Sequence, residues 1–213
     1  METPFFVQSE SKRPGLTATK AVVLIVIVSS VLASIGMIVF GQILERPYES
    51  VMLLHGFFLM FAIMSGIAFI AMLVFSTSRT AQQIFQHHPD TVNVLRILVF
   101  TSVASTFIIE MTGTIGYIPY RVSEPDSAKS RIMETFPFAH EPMFEIMEYL
   151  GLFGTIWTGL LAYLTWHFKE RMLTDIGTRN IMIALTSLAI IFALVISLMG
   201  IVPTKIASIE EWQ

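Results

Sequence analysis

The sequence predicts an all-α integral membrane bundle of five transmembrane helices, and three observations carry that prediction. Of its 213 residues, 54% are hydrophobic and only 14% charged, a balance too apolar for an ordinary soluble domain. Five stretches, about 20–43, 51–75, 93–117, 143–167 and 180–202, are each apolar and long enough for a bilayer core, which takes roughly 20 residues to cross. The segments between them are short or polar, and the shortest, ERPYES, forces the first two spans into a tight antiparallel pair.

Five spans put the termini on opposite sides. With the N-terminus cytoplasmic, the inside set of Lys and Arg is Lys12, Arg13, Lys20, Arg79, Arg96, Lys169, Arg171 and Arg179. The outside set is Arg46, Arg121, Lys129, Arg131 and Lys205. The inside excess favours this orientation by the positive-inside rule. The expected organisation is a cytoplasmic tail over 1–19, a membrane domain over 20–203 and an outer tail over 204–213, in a multi-pass protein of the cell membrane. The first apolar run is too long for the h-region of a signal peptide. No internal repeat is visible, which disfavours an inverted-repeat transporter.

Composition also excludes chemistry. The chain has no cysteine, so disulfides, thiolate metal sites, iron–sulfur clusters and c-type haem attachment are ruled out. It has a net charge of −3 and no basic patch of the kind nucleic acid requires. The expected partners are the lipid bilayer and further membrane subunits or copies of the chain.

The first span carries Ser29, Ser30, Ala33, Ser34 and Gly36, small residues that suit close helix contact. The second has His55 as its one ionisable residue. Ala62 and Gly66 on that histidine's face leave a shallow groove for a flat cofactor or a neighbouring helix. The third starts near Arg96, which can snorkel to the interface. It carries Glu110 on a face with Thr106, Gly113, Thr114 and Tyr117. The long connection 118–140, with Tyr120 and Arg121, is expected on the membrane surface as a cover. The fourth span follows His140 and Glu141, with Pro142 suited to a first helical position. Glu145 and Glu148 stand in its first turns, above a stripe of Gly151, Gly154, Thr155, Thr158 and Gly159. The fifth has no ionisable group and reads as packing. His87, His88 and His167 are expected at the surface.

Helix direction alone brings the polar groups to one depth. His55 enters from the outside, Glu110 lies near the outer end of its span, and Glu145 and Glu148 begin theirs there, with His140 at the rim. Ionised groups at membrane depth are expensive and mark a functional site by default. His55, His140, Glu110, Glu145 and Glu148 form a mixed nitrogen and oxygen set for a transition metal such as iron, copper or zinc. Alternatively, His55 and His140 ligate a b-type haem.

The run LLHGFFLMF, preceded by the Glu-Arg-Pro-Tyr loop, resembles the second helix of the haem–copper oxidase catalytic subunit. The likeness covers about 30 residues. It implies that His55 ligates low-spin haem near the outer face. The family's other haem and copper histidines have no counterpart here, so a full oxidase is excluded. The favoured function is electron transfer or oxidation through haem or metal, within a larger membrane assembly. The alternatives are a cofactor-free accessory subunit, and proton or small-solute transport with Glu110 and Glu148 as relay groups.

Overall fold

The computed structural model describes residues 31, 35, 36, 38, 39, 47–78, 90–120 and 127–206. Every regular element among them is helical. In chain order these are α1 (Pro47–Phe75), α2 (Thr91–Tyr120), α3 (Ala128–Thr135), a 3-10 turn (Pro137–Ala139) and a π turn (His140–Phe144). Then come α4 (Glu145–Gly151), α5 (Phe153–Phe168), α6 (Arg171–Thr174) and α7 (Ile176–Ile206). Among the described residues, three stretches are long and apolar enough to cross a membrane: Glu49–Phe75, Thr91–Ile118 and Ile176–Ile206. The first expected span, 20–43, lies outside the described residues except at five positions. These are helical, with Val31, Ile35, Ile38 and Val39 about half-exposed. His87, His88, Arg121 and the tail from 207 onward also lie outside them.

The spans run past their hydropathy limits. α1 has 29 residues and α7 has 31, so each is about 45 Å long, against a hydrocarbon core of roughly 30 Å. Hydropathy marks the apolar middle, while the hydrogen-bond ladder continues into polar flanks. Pro47 opens α1 at a position where its missing N–H is no loss. Residues 204–206, expected as tail, are the last turn of α7.

The fourth expected span, 143–167, is divided. Pro142 does not open a helix but sits inside the π turn, where Glu141 has φ −84° and ψ 31°. A proline cannot donate into the ladder and crowds the preceding turn, and the wider π turn accommodates it. A second break falls at Leu152, between α4 and α5. Gly151 and Gly154 flank it and weaken the helix there.

α1 packs along α2 as an antiparallel pair, α2 also packs on α5, and α7 closes against α1 and α5. At Gly66 the approach is so close that an added Cβ would meet Ile190 Cδ1 at 3.1 Å. The groove at Ala62 and Gly66 is thus filled by a neighbouring helix. One buried cluster joins Phe69, Leu73, Leu95, Val99, Leu161, Met172 and Met182. A second, at the other end, joins Tyr120, Ala128, Ile132, Ala139 and Phe144. It roots α3, whose N-terminus is capped where Ser127 Oγ accepts from the Ser130 N–H at 3.2 Å. Outward positions such as Met60, Met64, Phe107, Ile156 and Leu194 are exposed and apolar, as lipid contact requires.

Candidate functional site

The polar side chains of α2 pair with α4 and α5 in a ladder. Both sides of each rung sit on a repeating stripe: 106, 110 and 117 on α2, and 148, 155 and 158 across the Leu152 break. In the outermost rung, Tyr117 OH donates to Glu148 Oε2 at 2.8 Å. In the next, the Thr155 backbone N–H donates to Glu110 Oε1 at 3.0 Å. In the third, the Thr106 and Thr158 hydroxyls lie 2.9 Å apart. Each hydroxyl has one proton, so one donates across the rung while the other donates to its own helix, Thr158 to Gly154 O or Thr106 to Val103 O.

The middle rung depends on the broken helix. In an unbroken helix the Thr155 N–H would bond the carbonyl four residues back. After Leu152 it stands in the first turn of α5, where N–H groups lack internal partners. The Glu110 carboxylate caps it from another helix. Gly154 lies against the same carboxylate, and a Cβ there would make only ordinary contact with Glu110 Oε1, at 3.8 Å. Thr155 Oγ1 is buried beside this carboxylate with no hydrogen-bond partner. Glu110 lies about 15 Å along α2 from its Tyr120 end, and about 10 Å below the Glu148 rung, at 1.5 Å per residue.

Below Thr158 the polar path stops. A void of about 10 Å³ follows, bordered by Ser65, Ser102, Thr158 and Thr186, with Phe69 and Leu161. Ser65 and Thr186 turn their hydroxyls back to Ala62 O and Met182 O. The surface facing the void is therefore apolar, and such voids stay dry. The seam is polar at separate rungs from Tyr117 and Glu148 to Thr158 and apolar beyond.

His55 belongs to a different contact. It lies about 12 Å into α1, deeper than the apolar run suggested because the helix starts earlier. Its Nδ1 is 3.2 Å from Thr112 Oγ1. That hydroxyl already donates to Ile108 O at 2.7 Å, so it accepts from the histidine, and Nδ1 carries the proton. Nε2 is left with the lone pair. Gly113 lets the ring seat, since a Cβ there would meet His55 Cε1 at 3.2 Å. His140 is buried beneath α3, with Nδ1 2.9 Å from Tyr120 OH, among the stacked rings of Tyr117, Tyr120 and Phe144. Tyr120, expected as a surface cover, is fully buried and holds this histidine.

The five residues expected to share one site thus fall into separate contacts. Glu110 and Glu148 share the seam, His55 faces Thr112, and His140 faces Tyr120. Glu145 is exposed, and its side chain makes no hydrogen bond among the described residues. Nowhere among those residues do three or more His, Asp or Glu come together closely enough to hold a metal ion. Sequence reading did not single out Thr112, nor Tyr117 and Thr155 as hydrogen-bond partners. The signal was present: a carboxylate or imidazole inside a membrane needs a donor or acceptor on a facing helix. Comparison with known proteins returned no matching family model, no matching curated protein and no matching solved structure.

Proposed function

We propose that this chain is a five-span membrane protein, N-terminus in the cytoplasm, that takes protons from the outer surface to Glu110 within the membrane. It acts as a subunit, or homo-oligomer, of a larger redox assembly. The observation that carries this reading is the Glu110 carboxylate capping the broken helix, one rung below the Tyr117–Glu148 pair. Glu148 is exposed and meets external protons first. Tyr117 holds it and faces the seam. Glu110, held by the Thr155 N–H at the α5 N-terminus, is the carboxylate that receives the proton. The dry void below Thr158 argues for delivery at mid-membrane rather than passage across it.

The test uses protein in vesicles treated with a hydrophobic carbodiimide, which attaches to protonated carboxyls. Peptide mapping is expected to find the adduct on Glu110, rising as external pH falls and insensitive to internal pH. Glu148→Gln is expected to slow its response to an external pH jump. An adduct at Glu110 that ignores external pH would overturn the reading.

One observation favours a second reading. An imidazole with Nδ1–H held and Nε2 free is how metal-ligating histidines are commonly oriented. His55 is held in this way by Thr112, which supports a haem iron or a metal ion bound through Nε2, with any remaining ligand supplied by a partner subunit. Its test is the absorption spectrum described below.

A further inference from the structure

The end of the bundle opposite Tyr117 and Glu148 carries an unusual group of cations. The Arg96 guanidinium lies 5.5 Å from the ring centre of Trp166, stacked on a side chain that is 47% exposed. Its Nη1 donates to Asn93 Oδ1 at 3.1 Å, yet its Nε is buried with no partner among the described residues. One turn beyond Trp166 stands Lys169, exposed, with φ 48° and ψ −125°. It is the one non-glycine residue at positive φ among those described. That region strongly favours glycine, and such strain is kept at functional positions or tolerated for packing. Arg171 follows, exposed, at the start of α6. Its neighbour Met172 is buried in the same cluster as Leu95, the neighbour of Arg96, so α2, the end of α5 and α6 meet here.

Of the described acidic residues of this end, only Asp175 acts on the group, through a weak electrostatic attraction to Arg171. Asp175 is engaged with the N-terminus of α7, accepting from the Thr178 N–H at 2.7 Å and from its hydroxyl at 2.6 Å. Asp90 accepts from Asn93. Glu170 is exposed between Lys169 and Arg171. Among the described residues no carboxylate forms an ion pair with Arg96 or Lys169.

We propose that Arg96, Trp166, Lys169 and Arg171 form a binding site for the phosphate of an anionic membrane lipid. A guanidinium suits phosphate oxygens, and its buried Nε gains a partner. Trp166 lies at the depth where amphipathic rings meet headgroups. Lys169 and Arg171 supply charge from the rim. Charge complementarity selects an anionic over a zwitterionic headgroup, by about five-fold for each cation near the surface. This inference does not rest on the proton reading, which concerns the other end of the bundle.

The test is retention of lipid by full-length protein in mild detergent, offered phosphatidylglycerol and phosphatidylcholine in equal amounts and weighed by native mass spectrometry. Wild type is expected to retain phosphatidylglycerol in clear excess. Arg96→Gln and Lys169→Gly are each expected to lower that preference by about five-fold. Lys169→Gly relieves the positive φ, so its thermal midpoint is expected to equal or exceed wild type, which separates lost binding from lost fold. Equal retention of the two lipids by wild type, or an unchanged preference in both variants, would overturn the site. Complete displacement by inorganic phosphate would overturn its assignment to a lipid.

Discussion

Thr112→Val isolates the contact that orients His55. The two side chains have nearly the same shape, so the change removes an oxygen and leaves little cavity. The Nδ1–H of His55 loses its side-chain acceptor inside a helix pair that excludes water. The Ile109 carbonyl remains a hydrogen-bond partner of the ring, so the full cost of an orphaned donor is an upper bound. Orphaning a buried donor costs about 1–3 kcal/mol. Hydrogen bonds between membrane helices measure lower, about 0.6 kcal/mol on average and up to about 1.7. The expected loss is therefore about 1 kcal/mol, or about 2–4 °C in thermal midpoint for a chain of this size. The bond from Thr112 to Ile108 O adds little, because that carbonyl keeps its place in the helix ladder. The assay is a double-mutant cycle in mild detergent with His55→Leu as the second change. On the leucine background Thr112→Val is expected to cost almost nothing, giving a coupling of about 1 kcal/mol. An equal loss on both backgrounds would refute the tautomer and the bond together.

Further outcomes follow from the same geometry. Glu110→Gln keeps an oxygen for the Thr155 N–H and is expected to lie within about 0.5 kcal/mol of wild type. Glu110→Leu orphans that donor and is expected to lose about 1–3 kcal/mol, both read by thermal unfolding. Asp175 is held below the usual carboxylate range by the Thr178 hydroxyl and backbone N–H, with smaller help from the Gly177 N–H and Arg171. A depressed carboxylate stabilises the fold above its unfolded value of about 3.9, and that contribution is lost as pH falls through the folded value. Asp175→Asn is accordingly expected to flatten the acid limb of stability below about pH 4 and leave neutral pH less affected. If His55 binds haem iron, purified protein shows a Soret band that His55→Ala abolishes. If it binds a metal ion, elemental analysis finds a stoichiometric metal lost in the same variant.

The amino-acid order made the helices legible because hydropathy is a local property. It also made half of the seam legible, since Thr106, Glu110 and Tyr117 share one face of α2 by spacing alone. The other half was visible only as a stripe of small residues, Gly151, Gly154, Thr155 and Thr158. That the stripe carries a break was not legible. Leu152 has φ −57° and ψ −26°, close to helical values, so little in its own backbone marks it. The break becomes useful through a carboxylate 45 residues away in sequence. Depth was legible too, but depth is one coordinate of three. His55, Glu110 and Glu148 enter from the same end and still face different neighbours, because rotation about each helix axis is set by packing between helices.

The grip of Glu110 on the Thr155 N–H after Leu152 has a consequence for how the chain assembles. Sliding α2 past α5 by one turn, about 5.4 Å, would carry Glu110 to N–H groups already satisfied within a regular helix. Every rung would be lost in one step, and no neighbouring alignment offers a substitute. The carboxylate works as a key with a single keyhole. It tells two greasy, nearly featureless rods where to stop, a decision that hydrophobic contact alone would leave open.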